Sequence, residues 1–155
     1  MRCASTRPPF QPEYYPDRLE AGTMNMIGIV GLRAAVRFIL AQGVPQIVQK
    51  ERDMIGYALE RLSKLAGVTI YGPKDAQRMV GIISMNVDSV NPADMAYVLD
   101  EMYGIAVRAG LHCSPCAHRV LATQNTGTLR MSTGYFNSRG DIDLLVDALE
   151  GILNK

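Results

Sequence analysis

Glycine and proline punctuation constrains this chain more than any other feature. Its apolar runs are closed at Gly43 and Pro45, at Gly67, at the Gly72-Pro73 pair, at Gly81, at Asn91-Pro92 and at Gly104. What fits between such stops is a set of short strands and helices, because proline cannot continue a helix and glycine favours the turn that ends one.

The pieces read as follows. MIGIVGLRAAVRFILAQ, from Met26, is apolar almost all round, with only Arg33 and Arg37 as a narrow polar stripe; the helical pattern begins at Met24. A second helix places Ile47, Val48, Ile55, Leu59, Leu62 and Leu65 at helical spacing and ends at Gly67, so the two helices read as an antiparallel hairpin. Strands are predicted over 68–71, 81–87, 105–108 and 128–132. Asn91-Pro92-Ala93-Asp94 writes a helix start, with Met95, Val98, Leu99 and Met102 as its inward face. Asn137 or Ser138 caps a last helix built on Ile142, Leu145, Val146, Leu149, Ile152 and Leu153.

This order predicts an α/β fold: a two-layer α+β sandwich whose short, mainly antiparallel sheet is covered by helices. The first 20 residues carry Pro8, Pro9, Pro12 and Pro16 without periodicity and read as an extended arm. The expected organisation is an arm at 1–20, a helical lead-in at 21–66 and a small α/β domain at 67–155.

Composition sets the outer limits. The chain has 155 residues, 48% hydrophobic and 20% charged, which is ordinary for one globular domain. Sixteen Lys+Arg against fifteen Asp+Glu leave a charge of +1, with no field to steer nucleic acid or anionic lipid. No apolar run reaches the length of a membrane span, and the first residues lack the apolar core of a secretion signal. Three cysteines cannot all pair within one chain, which points to a reducing compartment. The expectation is a soluble cytoplasmic domain that engages neither nucleic acid nor membrane.

Chemistry concentrates in Arg108 to Arg119, RAGLHCSPCAHR, which holds two cysteines, two arginines and the chain's two histidines. Three functional readings compete with a plain turn containing a partly buried thiol. Cys113 can be a nucleophile, since Arg108, His112 and Arg119 surround it with the charge and donors that favour a thiolate. Cys113, Cys116 and His118 can ligate zinc, although His112 is badly placed to complete the set. Cys113 and Cys116 can form a dithiol couple, although no thioredoxin-like βαβ unit precedes them. Arg130, inside the apolar strand TLRMS, is costly to bury without an anion, and its fork suits a carboxylate; the alternative is a solvent-facing arginine. Gly22 and Thr23 precede the first helix and offer amides and a hydroxyl to a phosphate, or else a plain helix cap.

Three ordered motifs carry a family resemblance: PDRLEAGTxN at Pro16 to Asn25, GIAVRAGLHC at Gly104 to Cys113 and GTLRMSTGYFN at Gly127 to Asn137. Together they resemble the C-terminal third of cysteine desulfurases, within the class V aminotransferases of fold-type I that use pyridoxal phosphate. The resemblance implies that Cys113 is the nucleophile that takes the sulfur of cysteine as a persulfide, leaving alanine. It implies that Arg130 clamps the substrate carboxylate, that Arg108 and His112 flank the nucleophile, and that Thr23 with Gly22 reaches the phosphate of a neighbouring subunit's cofactor. It further implies a homodimer or a cofactor-bearing N-terminal partner domain, a small amino-acid substrate and a sulfur-acceptor protein. In that family the Schiff-base lysine lies upstream of the EAGT motif, whereas the lysines here are Lys50, Lys64, Lys74 and Lys155, all downstream. The resemblance therefore implies a C-terminal piece, inactive and cofactor-free by itself. Cys116 has no expected counterpart and could resolve a persulfide or sulfenic acid on Cys113 as a disulfide. A folded relic or dimerisation domain, and a small zinc module, are the other two expectations.

Overall fold

The computed structural model describes residues 13–20 and 22–154. It divides into two compact units, Met1–Gln42 and Gly43–Lys155.

The first unit holds a 3-10 turn over Asp17–Leu19 and helix α1, Met26–Gln42. Asn25 caps α1 by accepting the Gly28 amide on Oδ1 at 2.9 Å, the reach of an N-cap side chain to the third helical residue. No α1 residue is buried: Ile27 is 88% and Leu40 76% exposed. The first twelve residues of the expected arm lie outside the described residues.

The second unit is the α/β sandwich. Its elements are α2 (Val44–Leu62), β1 (Val68–Tyr71), β2 (Ile82–Val87), α3 (Pro92–Tyr103), β3 (Arg108–Gly110), α4 (Pro115–Val120), β4 (Thr128–Ser132) and α5 (Arg139–Leu153). The strands lie in the order β1-β2-β4-β3, every pair antiparallel. Alternation divides the sheet into two faces. Ile83, Met85 and Val87 of β2 and Leu129 and Met131 of β4 enter the core, where Ile55 and Leu62 of α2, Met95 and Leu99 of α3 and Leu145 and Leu149 of α5 meet them. Ser84, Asn86 and Arg130 therefore belong to the opposite face.

Caps set the helix ends. Asn91 accepts the Ala93 amide at 2.8 Å, Pro92 opens α3, and Gly104 closes it in the left-handed conformation. Ser138 and Asp141 form a reciprocal capping box on α5; the Ser138 amide donates to the Asp141 carboxylate at 2.8 Å and holds its pKa below the usual range. Tyr57 and Arg61 of α2 both donate to Asp143 of α5 and tie the two helices together.

Four expectations change. The lead-in over 21–66 does not stay in one piece, because Met54, Ile55, Ala58 and Leu62 of α2 are buried in the sheet's own core. The third strand begins at Arg108 rather than residue 105: the Ile105 amide donates to the Leu99 carbonyl at 2.9 Å to close α3, which keeps 105–107 out of the ladder. Met102 is 63% exposed and lies off the inward face of α3. The cap of α1 is Asn25, so the hydroxyl of Thr23 is not used as one.

Candidate functional site

The ladder between β3 and β4 sets Arg108 directly opposite Arg130. Directly paired residues of antiparallel strands project from the same face, and here it is the face away from the helices, since Leu129 and Met131 on either side of Arg130 point into the core. Like charges opposed across a ladder repel. Arg130 is half-buried, and its Nε is buried without a hydrogen-bond partner, a costly state for a charged donor that an anion would relieve. Polar residues flank it on this face. Ser84 pairs with Arg130 from β2, and Asn86 donates to the Gly127 carbonyl at 3.1 Å and to Tyr71 Oη at 3.3 Å.

The chain leaves β3 through a turn that local preference opposes. The Ser114 amide bonds back to the Leu111 carbonyl at 2.9 Å, and the two residues between, His112 and Cys113, both have positive φ, 50° and 57°. That is the signature of a type I′ turn, normally built from Asn and Gly. A side chain in the left-handed region costs about 1–2 kcal/mol per residue, so neighbouring structure must hold this pair in place. Two contacts do so. Gly110 and Gly127 pass so closely that a Cβ on Gly127 would come within 2.7 Å of the Gly110 Cα. His112 Nε2 then reaches the Thr128 carbonyl at 3.1 Å. Beneath the turn, His118 is buried, its Nδ1 is 2.8 Å from Thr123 Oγ1, and its ring centre lies 6.0 Å from that of His112. Cys113 is left exposed at the tip of the turn.

Electrostatics define His112. Burial, above all, pushes its pKa below the ordinary histidine value; the nearby charges of Arg130 and Arg108 act in the same direction, and the bond to Thr128 opposes them. The ring is therefore neutral near pH 7. A carbonyl partner requires the proton on Nε2, which leaves Nδ1 as a lone-pair acceptor, buried and without a partner. The arrangement has two fixed positive charges paired at the Arg108 end of the β3–β4 ladder, and a neutral proton acceptor and an exposed thiol on the turn that follows its Gly110 end. It can hold a carboxylate and present a sulfur nucleophile.

Arg108, His112 and Arg130, all anticipated, are brought together here, with Cys113 on the turn that follows. Gly22 and Thr23 belong to the first unit, where both are exposed and Gly22 takes φ 74°. Among the described residues no three His, Cys, Asp or Glu side chains are grouped to hold a metal; His118, one of the three zinc ligands considered, is buried with its Nδ1 bonded to Thr123. No single helix among them is long and apolar enough to cross a membrane. Sequence reasoning missed the supports: the Gly110–Gly127 contact, the buried His118–Thr123 pair, and Asn86, whose polar side chain inside GIISMNV was the available signal.

None of the described lysines lies in β3 or β4, the strands that carry the opposed arginines. Lys50 stacks over the Tyr135 ring at 4.3 Å, Lys64 pairs with Glu60 at 2.8 Å, and Lys74 occupies the turn after β1 with φ 54°. Each is engaged or placed away from the β3–β4 ladder, so the arginine face has no imine-forming lysine in its strands.

Residues 9–145 match the aminotransferase class-V family. A probable cysteine desulfurase of Halalkalibacterium halodurans is 42% identical over 135 residues, covering 87% of this chain and 32% of that protein. The cysteine desulfurase of Thermococcus onnurineus NA1 superposes with a TM-score of 0.79 at 33% identity, over 90% of this chain and 34% of that one. The Escherichia coli cysteine desulfurase CsdA, in its S-sulfonic acid form, gives 0.70 at 33% identity, over 90% and 33%. The chain spans about a third of the length of the curated relatives it matches. With the family match running over residues 9–145, this chain belongs to the aminotransferase class-V family, as a portion similar to part of the cysteine desulfurases.

Proposed function

We propose that this chain supplies the substrate-carboxylate and sulfur-handling face of a pyridoxal-phosphate-dependent cysteine desulfurase. The observation that carries the reading is the direct opposition of Arg108 and Arg130 on the two strands, the first of which leads into the turn that exposes Cys113. The guanidinium of Arg130, with Arg108 across from it, binds the carboxylate of cysteine, the bidentate match for which arginine is suited. Cys113 receives the sulfur atom, and His112 Nδ1 accepts or returns a proton beside it. The cofactor, when supplied, provides the electron sink; Gly22 and Thr23 are the residues proposed for its phosphate. Because the described lysines do not suit it, the chain alone is expected neither to retain pyridoxal phosphate nor to release sulfide from cysteine.

The exposed apolar α1 supports association with a second copy or with a cofactor-bearing domain, which light scattering of the chain alone and mixed with such a domain distinguishes. Alkylation tests the central claim. Limiting iodoacetamide is expected to modify Cys113 several-fold faster than Cys116 and Cys3, and a carboxylate such as alanine is expected to slow it in the native chain but not in Arg130→Met. Equal rates at all three thiols would overturn the assignment of Cys113. A cofactor absorbance band that survives gel filtration and is fixed to a lysine by borohydride would overturn the expected inability to hold the cofactor.

A further inference from the structure

Cys116 is unused by the function just described, yet it stands three residues from Cys113, and both thiols are free and exposed. The backbone between them is held at both ends. Ser114 donates its amide to Leu111 at 2.9 Å and accepts the His118 amide at 3.2 Å, while Pro115 fixes the first helical position. Cys113 thus ends the turn and Cys116 occupies the first turn of α4, with Ser114 as the single cap residue that begins the helix. The sulfur of Cys116 is oriented by Arg119, whose Nη2 donates to it at 3.2 Å. The two thiols are separated by two residues across a helix start, so a disulfide between them would close only a short loop.

We propose that Cys113 and Cys116 form a resolving dithiol that discharges whatever sulfur-linked group Cys113 carries. The inference rests on the reading of Cys113 as a sulfur carrier for its substrate, though not for the pairing itself. In the sulfur case, Cys116 loses its proton and its Sγ attacks Cys113 Sγ. The bond from Cys113 Sγ to the outer sulfur breaks, and the outer sulfur leaves as hydrosulfide. The two cysteine sulfurs are oxidised to a disulfide by two electrons, and the outer sulfur is reduced to sulfide. A small dithiol reductant returns the pair to two thiols. The consequence is that this loop releases its sulfur as free sulfide and then stays locked until reduced, whereas a lone carrier cysteine keeps its sulfur for an acceptor.

Two probes on the full chain test this. Trypsin places both residues in one peptide, Ala109–Arg119, with Cys3 in another as an internal control. After brief exposure to glutathione disulfide, the native peptide is expected to be lighter by two hydrogens and free of glutathione, while Cys116→Ser keeps one glutathione on Cys113. After inorganic tetrasulfide and desalting, the native peptide is again expected to be the closed disulfide, whereas Cys116→Ser retains one additional sulfur on Cys113. A native peptide that holds glutathione or extra sulfur to the same extent as Cys116→Ser overturns the proposal. Closure with glutathione disulfide but no sulfur on Cys113 in Cys116→Ser after tetrasulfide keeps the dithiol and removes the sulfur-carrier reading.

Discussion

Arg108 and Arg130 are like charges set directly opposite each other across the β3–β4 ladder. Their direct opposition should cost about 0.2–1 kcal/mol relative to a neutral pair. Arg108→Thr is therefore expected to leave the melting temperature unchanged or raise it, while weakening protection of Cys113 by alanine; a clear fall in melting temperature would show that the pair is not strained. His112 carries a pH signature. Its folded pKa lies below the unfolded value of about 6.5, so the unfolded chain binds the proton first as pH falls. Stability from this group is complete above about pH 6.5 and is lost as pH drops toward the lower, folded value. Urea midpoints should thus fall more steeply for the native chain than for His112→Gln between about pH 7.5 and about pH 5; parallel curves would contradict the assignment. Arg130 was legible in the sequence because a charged residue sat inside an apolar strand. Its direct opposition to Arg108 was not, because the strand was expected over 105–108 and the register that opposes the two arginines depends on where the ladder starts.

At the scale of elements, the best-read segment was α3, where Asn91, Pro92 and Gly104 each act through the backbone geometry that their chemistry prefers. Removing the Asn91 side chain leaves the first turn of α3 with an unmet amide, so Asn91→Ala is expected to cost about 1 kcal/mol in urea unfolding. The β3 boundary was misread because the end of α3 takes the Ile105 amide, a competition between two elements that no single-element pattern records. The His112–Cys113 turn was singled out by its residue types, but its left-handed backbone was not foreseen, since His and Cys are poor predictors of a type I′ turn. What enforces it lies elsewhere in the chain. Gly127 has φ 71° and no room for a side chain against Gly110. Gly127→Ala should therefore open the β3–β4 end, seen as faster amide exchange of Thr128 and Gly110, with a loss of stability larger than Asn91→Ala causes. Unchanged exchange would mean that the glycine contact does not hold the turn.

At the scale of the whole molecule, the division falls at Gly43 rather than between the helices and the sheet. The buried hydrophobic residues form a single cluster drawn from α2, strands β1, β2 and β4, α3 and α5, and α1 contributes none of them. A unit with its own core should unfold cooperatively by itself. The segment 43–155 is accordingly expected to give one calorimetric transition within a few degrees of that of the full chain, and to be the more soluble of the two because it omits the exposed apolar face of α1. Truncating instead at residue 67, the boundary that the sequence suggested, removes Ile55 and Leu62, both fully buried. Losing side chains of that kind costs about 2–5 kcal/mol each, against a total of about 5–15 kcal/mol for a domain. The 67–155 segment should therefore show no cooperative transition. If it melts as sharply as 43–155, α2 is an accessory to the sheet and the core has been drawn too large.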